Sequence, residues 1–269
     1  MAFSIIIPSR NATNLTACVK AVRAAGETAR IIVVDDGVDW PEAEILMHPE
    51  KPDNEHWGWP NVFRFDGVKP FVFARNCNIG IRAAGEDDVV LLNDDALLES
   101  EDGFRALQTA WHEYCGGTGV SLESEDGFRA LQTAAGTMRM EDKSHVFGIV
   151  GATTNLTGQP LQHRRGGPHG IGGSLVREVP HIAFVCVYIP RRTLNRVGLL
   201  DERYCEGYGC EDRDYCEAVN AAGLKVGVSD WCYVDHASLT SSFRGDPKTG
   251  GDFSRNFAIF KKKWPEAKL

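Results

Sequence analysis

The chain has 269 residues, with 29 lysines and arginines against 37 aspartates and glutamates, a formal charge of −8. Apolar residues make up 43% and charged residues 25%, ordinary fractions that exclude collagen-like, disordered and disulfide-scaffold classes. The acid excess argues against a nucleic-acid partner, because neutralising a phosphate backbone needs surplus Lys and Arg, but it allows a local basic pocket for a small phosphate ligand. The first predicted element is a short buried strand at Ser4–Pro8. MAFSIIIPSRN lacks the basic start and long apolar run of a signal peptide, so it reads as part of the fold. Leu15, Cys18, Val19 and Val22 follow at i, i+3, i+4, i+7, an amphipathic helix stripe, with Asn11, Thr13 and Asn14 offering N-cap side chains. Ile31–Val34 is a second strand, ending in Asp35-Asp36-Gly37. A helix is predicted over Arg75 to Ala84, then a third strand, Val89–Leu92, ending in Asn93-Asp94-Asp95.

Apolar strands alternating with helices predict an α/β fold, a mostly parallel sheet with helices on both faces. In such sheets ligands bind beyond the carboxyl ends of the strands. The polar residues gather there, at Ser9-Arg10-Asn11, Asp35-Asp36 and Asn93-Asp94-Asp95, which predicts one cleft built from three loops. Next comes an internal repeat: LESEDGFRALQTA at 98–110 recurs identically at 122–134. Two copies are too few for a solenoid, and each reads as an amphipathic helix, with Phe104, Leu107 and Trp111 on one stripe and Phe128, Leu131 and Met138 on the other. A tandem duplication carried on the surface accounts for it. Further strands are predicted at Val146–Ala152 and Ile182–Ile189. Between them Thr157–Pro180, with His163, Arg164, Arg165, His169 and Arg177, is either disordered or a lid.

Clustered carboxylates need a cation or hydrogen-bond donors between them, and oxygen ligands of this kind suit Mg²⁺ or Mn²⁺. The segment Glu211-Asp212-Arg213-Asp214 precedes a helical stripe of Tyr215, Ala218, Val219 and Ala222. Counting back by four and three from Tyr215 reaches Glu211 and Asp212, so both fall on the inward side of the first turn, where the helix dipole favours ionised carboxylates. His236 follows the run Trp231–Val234 and is a candidate metal ligand. Eight cysteines form no CxxC pair, and Cys205, Cys210, Cys216 and Cys232 lack the spacing of common zinc modules. Free thiols in a reducing cytoplasm are expected, which makes the sequons at Asn11, Asn14 and Asn155 chance matches. No run of 18 apolar residues exists, so no transmembrane segment is predicted. Lys261–Lys263 beside Phe257–Trp264 supports at most weak peripheral membrane contact; a helix packing Phe257, Phe260 and Trp264 with a solvated lysine face explains it better.

In order and spacing, the segments SIIIPSRN, IIVVDDG, ARNCNIGIRAAGEDDVVLLNDDA, FVCVYIPRRTLNRVGLLDERY, GYGCEDRDYCEAVNAAGLKV, VDHAS and RNFAIFKKKW resemble the family 2 glycosyltransferases of the GT-A fold along nearly the whole chain. The resemblance implies a single GT-A (Rossmann-like) domain: residues 1–96 a nucleotide-sugar-binding half, 97–145 a helical insertion with the repeat, and 146–269 an acceptor-binding and catalytic half. It implies inverting transfer of a sugar from a nucleotide-diphosphate sugar, a UDP-sugar foremost, to an acceptor hydroxyl of a saccharide or other molecule. Pro8, Ser9, Arg10, Asp35, Asp36 and Arg75 would hold the nucleotide. Asn93-Asp94-Asp95 matches the DxD position, with Asp95 the expected ligand of Mn²⁺ or Mg²⁺, Asn93 in place of the first Asp, and Asp94 able to take over its contact. His236 would complete the metal site, Asp212 would be the general base, and Glu211 would orient the acceptor. The basic segment 157–180 would close over the diphosphate, and His56-Trp57-Gly58-Trp59 and Tyr208 are candidate sugar platforms. Two alternatives remain at this point: a nucleotidyltransferase, although the glycines of a phosphate loop are absent from Ser9-Arg10-Asn11-Ala12, and a non-catalytic nucleotide- or sugar-binding protein of the same fold.

Overall fold

Why the chain can bury both faces of a sheet is visible in its strands. Phe3–Ser9 (β1), Arg30–Asp35 (β2) and Asp88–Leu92 (β4) are apolar on both sides of the pleat, and every one of Ile5, Ile6 and Ile7 has no exposed surface. Alternate side chains of a strand point to opposite faces. Accordingly Ile5 and Ile7 join the core under helix α1 (Ala12–Ala24), while Ile6 joins the core under helix α2 (Phe73–Ala83). In this computed structural model the described residues are 2–39, 61–101, 103–116, 147–163, 176–204, 209–241 and 249–267.

Among them the remaining strands are Val62–Asp66 (β3), Leu97–Leu98 (β5), Phe147–Thr154 (β6), Arg177–Val179 (β7), Cys186–Ile189 (β8) and Lys225–Asp235 (β9). The remaining helices are Gly103–Gly116 (α3), Arg191–Val197 (α4), Glu211–Ala221 (α5) and Thr249–Lys263 (α6). All strands belong to one sheet of order β3-β2-β1-β4-β8-β6-β9-β5, with β7 also paired to β9. The predicted parallel sheet is realised in β3-β2-β1-β4. Beyond β4 the sheet is mixed: β8 runs antiparallel to both β4 and β6, while β6 and β9 are parallel. Here Tyr188 of β8 donates to the buried Asp88 carboxylate of β4 at 2.6 Å, and the Arg191 backbone N–H reaches the same carboxylate at 2.6 Å. That carboxylate therefore joins β4, β8 and the start of α4.

Helices cover both faces, as expected. Asn11 caps α1, its side chain accepting from the Asn14 backbone N–H at 3.0 Å. The first copy of the repeat supplies the end of β5 and the first two turns of α3, and Phe104 and Leu107 have no exposed surface. This helix is thus part of the core; Trp111's side chain and the second copy at 122–134 lie outside the described residues. Strand order reverses at β1, which pairs β2 on one side and β4 on the other. This is the switch point where a ligand crevice opens at the strand ends.

Candidate functional site

At the switch point the ends of β1 and β4 meet through a buried hydrogen bond, Ser9 Oγ donating to Asp94 Oδ2 at 2.7 Å. Burial pushes the Asp94 carboxyl up to about 7; the Ser9 hydroxyl pulls it down and the charge of Asp95 adds to the rise. Asp95, its neighbour, is 3% exposed and faces His236, with Nε2 3.1 Å from Oδ1. His236 arrives from the end of β9, and its Nδ1 lies 2.7 Å from the Leu156 carbonyl beyond the end of β6. A carbonyl only accepts, so Nδ1 carries a proton, which leaves Nε2 as the ring nitrogen turned toward the Asp95 carboxylate. The other Asp95 oxygen, Oδ2, is buried without a hydrogen-bond partner. A buried imidazole nitrogen beside a carboxylate with one orphaned oxygen is a donor set that fits a divalent cation.

The parallel pair β6–β9 makes this convergence. Asn155, after β6, accepts from the His236 backbone N–H at 2.9 Å and donates to Asp235 at 2.8 Å. Asp235 also accepts from the Ala237 N–H and from the Ser238 hydroxyl and N–H. Although burial pushes it up, these donors hold the Asp235 carboxyl down at about 2.

Glu211 and Asp212 open α5 after a tight turn: Gly209 (φ 97°) and Cys210 (φ 80°) are both left-handed, a conformation a cysteine adopts only under constraint. Asp212 Oδ1 accepts from the Arg213 backbone N–H at 2.6 Å. Burial pushes the Asp212 carboxyl up, against the pull of backbone N–H groups at Arg213 and Phe184. Burial likewise raises Glu211, and the charge of Asp212 adds to it. The expectation that the helix dipole dominates is therefore corrected: loss of water outweighs it, and the pair holds protons more tightly than exposed carboxyls do.

A cavity of about 760 Å³ joins these parts. Its lining brings together Pro8, Asn93, Asp94, Asp95, Glu211, Asp212 and His236. Other predicted residues sit differently. Ser9 acts behind Asp94. Asp35 is spent on its own turn, accepting from the Gly37 and Val38 N–H groups at 2.7 and 2.8 Å and pairing with Arg64 at 2.7 Å. Asp36 pairs with Lys69 at 3.2 Å, leaving its buried Oδ1 without a partner. Arg75 lies near Glu202 at 3.9 Å, outside the lining, as does the exposed Arg10.

One wall was not foreseen. Phe71, Phe73 and Phe184 line the cavity, as do Phe253, Phe257 and Phe260 of α6. The rings of Phe253 and Phe257 stack at 6.1 Å and 11°, and Phe253 is 45% exposed. The apolar spacing on α6 was legible, but its destination was not. His56-Trp57-Gly58-Trp59, Tyr208, Cys205 and the segment 164–175 of the predicted lid, with Arg164, Arg165 and His169, lie outside the described residues. Cys18, Cys77, Cys186, Cys210, Cys216 and Cys232 are buried free thiols. Among the described residues no three His, Cys, Asp or Glu side chains cluster as a metal site, and no helix is long and apolar enough to cross a membrane.

No curated protein matches the chain in sequence. Among solved structures it is similar to GalNAc-T7 with UDP, GalNAc and Mn²⁺, at TM-score 0.60 and 14% identity over 99% of this chain and 51% of that one. It is also similar to the mannosyltransferase PcManGT from Pyrobaculum calidifontis in complex with GDP-Man and Mn²⁺, at TM-score 0.56 and 14% identity, over 99% of this chain and 65% of that one. The chain thus spans about half of the first and under two thirds of the second, and the likeness fixes the fold. The family model "Glycosyl transferase family 2" matches residues 4–148, more than half of the sequence and the whole run from β1 through the Asn93-Asp94-Asp95 turn into β6. On that match the chain belongs to glycosyl transferase family 2.

Proposed function

We propose that the chain is an inverting glycosyltransferase that moves a sugar from a nucleotide-diphosphate sugar to an acceptor hydroxyl. The observation that carries this reading is the pairing of Asp95 with a His236 held through its Nδ1 on the Leu156 carbonyl, in one cavity with the Glu211–Asp212 pair. Asp95 and His236 would hold Mn²⁺ or Mg²⁺. Two protein ligands suffice where substrate phosphates complete the shell. When bound, such a cation neutralises the charge that builds on the departing diphosphate. Solved relatives carrying UDP or GDP-Man with Mn²⁺ support this, and UDP-sugars are the first donors to test.

The residues of the chain then have separate tasks. Asp36, with its unpartnered buried oxygen, would accept from an N–H of the base; Pro8 lines the approach and Ser9 steadies Asp94 from behind, while Arg10 and Arg75, outside the cavity lining, would add positive charge toward the phosphates. Asn93 and Asp94 lie against the ribose and the donor sugar. The acceptor oxygen attacks the anomeric carbon from the side opposite the diphosphate, through an oxocarbenium-like transition state as in glycosidases. As the new C–O bond forms and the bond to the diphosphate breaks, the acceptor's proton passes to Asp212. Glu211 orients that hydroxyl. The stacked Phe253–Phe257 face offers the acceptor an apolar platform.

A thermal-shift panel of UDP, GDP, dTDP and CDP, each with and without Mn²⁺, tests the donor half of this reading. One nucleotide should raise Tm, and only with the metal; no Mn²⁺-dependent shift with any of the four would sink it. Transfer from the matching nucleotide sugar to a glycoside acceptor, with the product's anomeric configuration read by NMR, tests the rest.

A further inference from the structure

We propose that Asp214, Lys263 and Trp264 form a lock that fixes the first turn of α5, and with it the Asp212 carboxylate, against the C-terminal end of α6. The proposal rests on the reading of Asp212 as the base. In the sequence, Asp214 was one more acid in an acidic helix start and Lys261–Lys263 a solvated run. The structure separates them.

Asp214 is 2% exposed and accepts from three donors on two other segments: the Tyr204 hydroxyl at 2.8 Å, and at the end of α6 the Trp264 indole N–H at 2.8 Å and the Lys263 ammonium at 2.8 Å. Lys263 also bonds Asp201 at 2.9 Å, and Arg203 pairs with Asp201 from the other side at 2.6 Å. Burial and the Asp214 carboxylate push the Tyr204 phenol up, so it stays a neutral donor. Residues two apart on a helix lie about 200° apart around its axis. Asp212 can therefore face the cavity while Asp214 faces the lock. A second tie runs alongside: the Asn256 amide of α6 donates to the Gly209 carbonyl at 3.2 Å, holding the strained turn into α5. Between the two aspartates, the Arg213 guanidinium lies over the Phe260 ring of α6, 5.5 Å from its centroid.

The lock acts by geometry and by charge. Geometrically, it fastens α5 and α6, whose phenylalanines line the same cavity as Asp212. Electrically, Lys263 compensates a buried carboxylate two residues from the base, and removing one partner of a buried pair leaves the other charge uncompensated. The groups around Asp212 are Glu211, Arg213, Cys216 and the Cys210 thiol from its own helix and turn, and the Phe184 N–H from the segment before β8. Around Asp214 stand Tyr204, Asp201, Lys263 and Trp264, with the Arg203 guanidinium and the Cys210 thiol also within its field. Asp214 and Lys263 are thus positioning residues.

The test uses the full chain and a sugar of the nucleotide that the panel above identifies, the one that the transfer assay shows to be used. It compares Lys263→Met, Lys263→Arg and Asp214→Asn for kcat, donor KM and the acid limb of the kcat–pH profile. Lys263→Met should lower kcat about tenfold or more with donor KM and the Mn²⁺-dependent nucleotide shift unchanged. Its acid limb should move to higher pH, because the bare Asp214 carboxylate opposes ionisation of Asp212. Asp214→Asn should move the limb to lower pH, and Lys263→Arg should restore both kcat and the limb. Mere structural damage would move both limbs the same way or neither, and either result overturns the lock, as does an unchanged kcat. If Asp214→Asn fails to fold, the Lys263→Met shift and its rescue by Lys263→Arg decide alone. A parent that transfers no sugar overturns the base reading instead, which keeps the two failures apart.

Discussion

Asp212 sits under opposing influences. The helix terminus and the N–H groups of Arg213 and Phe184 favour its charge; burial opposes it and wins. A carboxyl raised in this way is a better base near neutrality than an exposed one. Asp212→Asn should lower kcat about 10²–10⁴-fold while leaving the Mn²⁺-dependent nucleotide shift intact; turnover at the parent rate would remove Asp212 from the role. In the parent, kcat should fall as pH drops through the raised Asp212 value, because the base works only when ionised. Asp95→Ala should abolish the Mn²⁺ dependence of nucleotide binding, and identical nucleotide affinity with and without Mn²⁺ in both proteins would exclude Asp95 as a ligand. Asn155→Ala, which frees the backbone of His236, should weaken that Mn²⁺-dependent affinity about tenfold or more, measured by titrating the metal.

Elements place these residues, and their packing is testable separately. On α2, a Cβ at Gly80 would meet the Ile6 side chain of β1 at 2.3 Å. That approach holds the helix against the sheet beside the switch point. Gly80→Ala should destabilise the fold by about 1–3 kcal/mol in urea denaturation, with the cost in the midpoint rather than the slope; an unchanged midpoint would show that the helix shifts freely. The same scale shows where sequence reading stops. The strands β1, β2 and β4 and helices α1 and α2 were legible because continuous apolar runs and a 3.6-residue stripe have few other uses. Strand β3 was missed because Phe63 and Phe65 are exposed at the sheet edge, so its pattern is not that of a buried strand. Around α5 the inward phase of Glu211 and Asp212 was readable, yet the more buried acid is Asp214, whose three donors come from distant segments.

At the scale of the molecule, the carboxylates pull stability in two directions. Glu211 and Asp212 hold protons more tightly in the folded state, so their contribution is full at low pH and is lost as pH rises through their raised values. Asp201, held down by the Arg203 guanidinium and by Lys263, and Asp235, held down by its cage of donors, contribute above the ordinary carboxylate range and lose it as pH falls through their folded values. Together they place the highest Tm of the metal-free protein at about pH 5. A Tm that climbs steadily from pH 5 to pH 8 would contradict this balance.

The sequence alone determined the α/β alternation, the acidic strand ends and the order of segments shared with the family, because these follow from local periodicity and from motifs carried on short stretches. Tertiary structure alone decided which acids face one cavity. Asp95, Glu211, Asp212 and His236 line it, whereas Asp35 closes its own turn and Asp214 serves the link between two helices. It also turned a phenylalanine stripe near the C-terminus into a wall of the site. A carboxylate's role depends on the groups and the water around it, and those groups come from residues up to 141 positions away in the chain.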